Sequence, residues 1–219
     1  MAQQERAVQT RHAVLEAAAA VFAEEGFTAA RISTILETSG LTRGALYFHF
    51  DSKEALAKGV LELQTALDLP PRRLKMQELV DTVMVVAHRL PRDVVLRAGA
   101  RLSEDPKGRK VYGSAGTAWI EVLMSQLSEA ERRGELLPHV VLRETAEVVL
   151  TAFQGARTYS QLESNLSDME ERASILLRHL LPSIVVPPVL ANLDTAPERG
   201  ARIYSLTTAE HGSGAVLEG

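Results

Sequence analysis

Three observations predict an all-α protein. Apolar residues recur at spacings of three and four through most of the chain, and strand-type alternation holds nowhere for long. Glycine and proline punctuate these segments at Gly26, Gly40, Gly134 and Pro182, where helices are expected to stop. The 219 residues are 46% apolar and 24% charged, an ordinary globular balance with length for one large domain or two small ones.

Residues 8–25 read as the first helix, with Val8, Leu15, Ala18, Ala19 and Phe22 on one face and Phe27 packing back beyond Gly26. A second helix over 32–39 turns Ile32, Ile35 and Leu36 inward and closes at Gly40. The stretch 41–50 follows. Thr42 can cap its first turn, and Leu46 and Phe50 lie four apart as anchors, which leaves Arg43, Tyr47 and His49 outside. Taken alone, these ten residues read equally well as a surface helix with a stray aromatic. Their neighbours change that reading, because helix, glycine turn and helix form the helix-turn-helix pattern. A held seam beneath an exposed Arg and Tyr is what a recognition helix needs. Asp51 and Glu54 have the spacing of a capping box. They open a fourth helix that Ala55, Leu56, Val60, Leu61 and Leu63 carry to about residue 67.

Past Pro70-Pro71 the spacing predicts helices over 74–89, 93–102, 114–133, 140–162 and 169–181. Trp119, Ile120, Leu123, Met124 and Leu127 share one of these, and Val148, Val149, Ala152 and Phe153 the next. Residues 183–219 are weakly patterned and read as a flexible tail with a short helix near 199–206.

Several classes of chemistry are excluded. Without cysteine there is no disulfide, thiolate zinc site, iron–sulfur cluster or cysteine nucleophile. The six histidines show no metal-ligand spacing, so neither metal nor cofactor is expected. Gly113-Ser114-Ala115-Gly116 is one residue short of a nucleophile elbow, phosphate loops are missing, and the chain reads as a non-enzyme. No stretch has the roughly 20 apolar residues of a membrane span. The N-terminus also lacks a secretory apolar run, so a cytoplasmic protein is expected. The net charge of −4 does not favour nucleic acid, and residues 1–64 hold six Lys/Arg against eight Asp/Glu. Position is the better argument. Arg6, Arg11, Arg31, Arg43 and Lys53 lie near helix starts or in the N-terminal arm, where phosphate contacts arise.

Gly26-Phe27, Ile35-Leu36, the run from Gly40 to Phe50, and Ser52-Lys53-Glu54 together closely resemble the DNA-binding domain of tetracycline-repressor (TetR) family regulators. The likeness covers residues 8–56, with several motifs in order at matching separations. The GALYFHF variant, Leu56-Ala57 and Leu61-Glu62-Leu63-Gln64 look most like the γ-butyrolactone receptor branch, the signalling-lactone repressors of actinomycetes. Two departures stand out. Arg31 replaces a usual capping Thr, and Arg43 stands where Lys is frequent. Arg forks more rigidly onto guanine O6 and N7.

The resemblance implies a helix-turn-helix domain over residues 1–51. It is joined through the fourth helix to a ligand-binding and dimerisation domain over 52–182, about nine helices or more in all, with 183–219 as the tail. It implies a nucleoid-associated homodimer bound to a near-palindromic double-stranded operator and released by a small autoregulator of γ-butyrolactone, butenolide or furan type. Another hydrophobic effector such as an antibiotic, or a helical adaptor that no longer binds DNA, are the alternatives. Thr42, Lys53, Arg6 and Arg11 would then meet phosphates, and Arg31 would be free for another. Arg43, Gly44, Tyr47 and His49 would face bases or the adjoining backbone. For the ligand, the resemblance points to a stacking role for Trp119 and a polar role for Gln64. Thr158, beside Gly155, would bond a lactone carbonyl. Val60, Val83, Leu96 and Leu123 are candidate apolar walls, each also readable as ordinary core. Tyr159 is open between pocket and dimer contact. The helices at 140–162 and 168–181 would form the dimer interface.

Overall fold

The computed structural model describes residues 2–105 and 108–214. Their helices are, in chain order, α1 Ala2–Ala29, α2 Ile32–Ser39, α3 Arg43–His49, α4 Lys53–Leu63, α5 Lys75–Arg89 and α6 Val94–Ser103. These are followed by α7 Arg109–Tyr112, α8 Ala115–Arg132, α9 Leu142–Ser164, α10 Met169–Leu180, α11 Pro187–Leu190 and α12 Arg199–Gly214. No strand occurs among the described residues, only an isolated bridge between Leu136 and Val185. The fold is all-α. Two compact units emerge: Met1–Ala66 with Arg92–Ala118, and Leu67–Pro91 with Trp119–Gly219.

In the first unit, α1 packs on α2, α4 and α6. Leu15, Ala18 and Phe22 are fully buried, and the alanines let the neighbouring helices approach closely. Gly26 interrupts α1 at φ 73°, a left-handed conformation that glycine adopts without steric cost. The chain therefore turns, and the Phe27 ring packs 6.0 Å from Phe22 and 4.7 Å from Tyr112. Ser52, not Asp51, caps α4, accepting from the Ala55 N–H at 3.1 Å. The hydroxyl stands at the boundary itself, while Asp51 is one residue upstream and exposed. The helix ends at Leu63, short of the expected 67. Burial, then the charge of Asp105, pushes the Tyr112 phenol up to about 12. It therefore stays protonated and donates to the Leu102 carbonyl at 3.0 Å.

In the second unit α5 is almost wholly buried from Met76 to Ala87, with α10 and α12 packed against it. Its N-terminus is capped from far along the chain. The buried Glu135 carboxylate accepts from the Lys75 N–H at 3.0 Å and the Met76 N–H at 2.8 Å. The C-terminal segment departs from the expected flexible tail, because α12 docks on α5. Gly200 makes this crossing close: a Cβ there would meet the Met84 carbonyl oxygen at 2.2 Å. Beside it Asp81, only 1% exposed, receives Arg199 at 2.5 and 3.0 Å, Arg72 at 2.7 Å and Gln77 at 2.8 Å. The α9–α10 turn places Asn165 and Leu166 at positive φ. There the Asp168 carboxylate accepts from Arg172, Ser160 and Ser164, and these bonds hold its pKa well below the usual carboxylate range.

Candidate DNA-reading helix and effector cavity

The local sequence of α3 explains both of its faces. Thr42 has extended backbone and accepts from the Ala45 N–H at 3.2 Å, so the helix begins at Arg43. Leu46 is fully buried and Phe50 nearly so, which fixes the inner face. Thr42, Arg43, Gly44 and Tyr47 are exposed, and Arg43 lies over the Tyr47 ring at 5.7 Å. His49 is half-buried, its ring edge-on to Phe48 at 5.0 Å. Phe48 is 80% exposed. It was absent from the expected site residues, although its place next to Tyr47, and two residues from the inward Leu46, signals the outer face.

The expected basic residues divide. Arg6 and Arg11 are exposed, but on α1 rather than on an extended arm, and Arg11 stacks over Phe50 at 5.2 Å. Arg31 is exposed at the N-cap of α2, with no side-chain cap there. Lys53 corrects the expectation. Its ammonium donates to the Phe27 and Ala30 carbonyls at 2.8 and 2.9 Å and lies 4.6 Å over the Phe27 ring. It closes the C-terminal end of α1 instead of reaching outward. Lys53→Met should therefore lower folding stability by about 1–2 kcal/mol, the cost of leaving carbonyls short of a charged donor. Urea denaturation checks this; an unchanged midpoint would show that the strut contributes nothing.

The second unit contains a small, half-open cavity of about 50 Å³. Thr82, Val83 and Val86 from α5, Trp119 and Leu123 from α8, and Val149, Leu150 and Phe153 from α9 line it. Of the expected walls, Val83, Trp119 and Leu123 are in place. Val60 and Leu96 are not; both are buried core of the first unit. Thr158 is not at the cavity either. It stands five residues after Phe153, about 140° around the helix at 100° per residue. There it lines a shallow open depression with Gly155 and Tyr159, its hydroxyl donating to the Gln154 carbonyl at 3.0 Å. Val148, Tyr159 and Leu162 of α9 and Ile175 of α10 are exposed apolar side chains.

Gln64 lies in the first unit, buried against Gly99, whose missing Cβ would fall 2.0 Å from the Gln64 Oε1. Its Nε2 is buried without a hydrogen-bond partner among the described residues. Sequence reasoning did not find Thr82 and Gln126 as a polar pair, with Gln126 Nε2 donating to Thr82 Oγ1 at 2.8 Å. The spacing Trp119, Leu123, Gln126 places all three on one face of α8 and could have signalled it.

Comparison with known proteins agrees with this geometry. The family model described as bacterial regulatory proteins of the tetR family matches residues 14–60. The A-factor receptor protein of Streptomyces griseus is 36% identical over 197 residues, covering 88% of this chain and 70% of that protein. The crystal structure of full-length native TylP, described as a TetR regulator from Streptomyces fradiae, superposes with a TM-score of 0.86. It is 38% identical, covering 94% of this chain and 93% of that one. A γ-butyrolactone receptor described as ArpA-like gives a TM-score of 0.63 at 27% identity over 90% and 98% of the two chains.

Proposed function

The chain belongs to the TetR family of bacterial regulatory proteins, and on that premise we propose that it is a dimeric repressor released from its operator by a γ-butyrolactone-type signal. It is a DNA-binding regulator and not an enzyme. One observation carries the reading: a single chain holds both a recognition helix with an exposed Arg43–Tyr47–Phe48 face and an apolar cavity lined by Trp119, Leu123 and Phe153.

The first unit reads DNA. Arg43 forks onto a base edge, Tyr47 and Phe48 offer apolar and stacking contacts beside it, and Thr42, Arg6, Arg11 and Arg31 meet phosphates. The second unit binds the effector, Trp119 packing on it within the apolar walls. Exposed Val148, Tyr159, Leu162 and Ile175 suit a two-fold contact through α9 and α10, which would set two recognition helices on a near-palindromic operator. Release requires only that the effector bind the conformer unfit for DNA more tightly than the fit one. Likeness to the A-factor receptor and to a γ-butyrolactone receptor supports the lactone class.

The test begins with fragments selected by the protein from the genome of its own host, rechecked by gel shift with and without a lactone extract of that host. Trp119→Ala should hold the fragment as the wild type does and fail to release it. Release at the concentration effective on wild type would sink the cavity assignment.

A further inference from the structure

The cavity is apolar except at one end. There the Thr82 hydroxyl donates its single proton to the Glu78 carbonyl at 3.0 Å and accepts from Gln126 Nε2 at 2.8 Å. This pairing orients the amide. Because the hydroxyl proton is already committed, Gln126 must turn an N–H toward Thr82, which points its Oε1 elsewhere. That oxygen is buried and accepts no hydrogen bond from the described residues. Gln126 also continues the face of α8 that presents Trp119 and Leu123 to the cavity, three residues beyond Leu123. A buried acceptor left unmet disfavours the empty site, and it favours any occupant that brings a donor.

We infer that the effector carries a hydrogen-bond donor, a hydroxyl or N–H, at the Thr82 end, and that Gln126 is the specificity-determining residue that accepts from it. The remainder of the effector is an apolar chain lying along Val83, Val86 and Leu123. A molecule offering only acceptors at that end sets oxygen against oxygen and is disfavoured. The inference rests on the cavity being the effector site, as proposed above.

Calorimetric titration of the full chain with two synthetic probes tests it. Both are γ-butyrolactones with the same alkyl chain, one bearing a hydroxyl on the first chain carbon and the other hydrogen. Wild type should prefer the hydroxylated probe by roughly five- to tenfold, the worth of one neutral hydrogen bond. Gln126→Met should bring the two affinities together, removing the preference for the hydroxylated probe. Gln126→Asn, which retains an amide but draws it back by one methylene, should do the same and decides the matter should the Met variant fail to fold. An equal affinity of wild type for both probes, or a preference that survives in the variants, would overturn the role of Gln126 and leave the cavity reading standing. Failure of wild type to bind either probe would overturn the cavity reading itself, and the inference with it.

Discussion

Asp81→Ala should cost the protein about 3–5 kcal/mol of folding stability, the range for removing one partner of a buried ion pair. Asp81 is 1% exposed and its carboxylate is shared by Arg199, Arg72 and Gln77. Arg199 has a side chain only 13% exposed, so its guanidinium would keep Asp194 alone as a charged partner. The loss should appear as a lower urea midpoint, together with loss of protection from proteolysis in α12. Asp81→Ala within about 1 kcal/mol of wild type would show that Gly200 and Ile203, packed along the same crossing, hold α12 without the charge cluster.

Arg43→Ala should weaken operator binding by about 1–3 kcal/mol per half-site, the worth of a bidentate guanine contact. The proposed two-fold dimer would present the residue twice, so the whole effect on a two-half-site operator should be about 2–6 kcal/mol. Arg43 is exposed, and its stacking on Tyr47 holds the guanidinium in one direction before DNA arrives. Arg43→Lys separates charge from shape. It keeps the cation, loses the fork, and should retain phosphate attraction while relaxing base preference. Gel-shift titration on the selected operator and a one-base variant distinguishes these. Equal affinity of Arg43→Ala and wild type would remove Arg43 from base readout.

How much of this was readable in the chain depended on the distance over which the physics acts. Local signals were legible: Thr42 caps as its chemistry requires, Gly40 closes α2, and Trp119 and Leu123 share the face that the spacing gives them. Errors gathered where a residue answers to something far along the chain. Lys53 looked like a phosphate ligand because nothing in its own segment shows the Phe27 and Ala30 carbonyls waiting for it. Glu135 caps a helix 60 positions away in sequence, and Asp81 pairs with Arg199 across 118. The segment 183–219 seemed unpatterned for the same reason. α12 is anchored by a missing side chain at Gly200 and a buried charge, neither of which leaves an apolar period. Thr158 was misplaced through a borrowed role; helical phase alone turns it away from Phe153.

The withdrawal of Lys53 into the end of α1 has a consequence for how such a repressor finds its site. Each phosphate neutralised adds to non-specific attraction and steepens the dependence of affinity on salt. With that ammonium committed internally and acidic residues outnumbering basic ones in the first 64 positions, the reading head carries few cations to offer indiscriminately. On the function proposed above, less of the protein would be held on non-specific DNA, and its affinity for DNA should depend less steeply on salt than with that ammonium free.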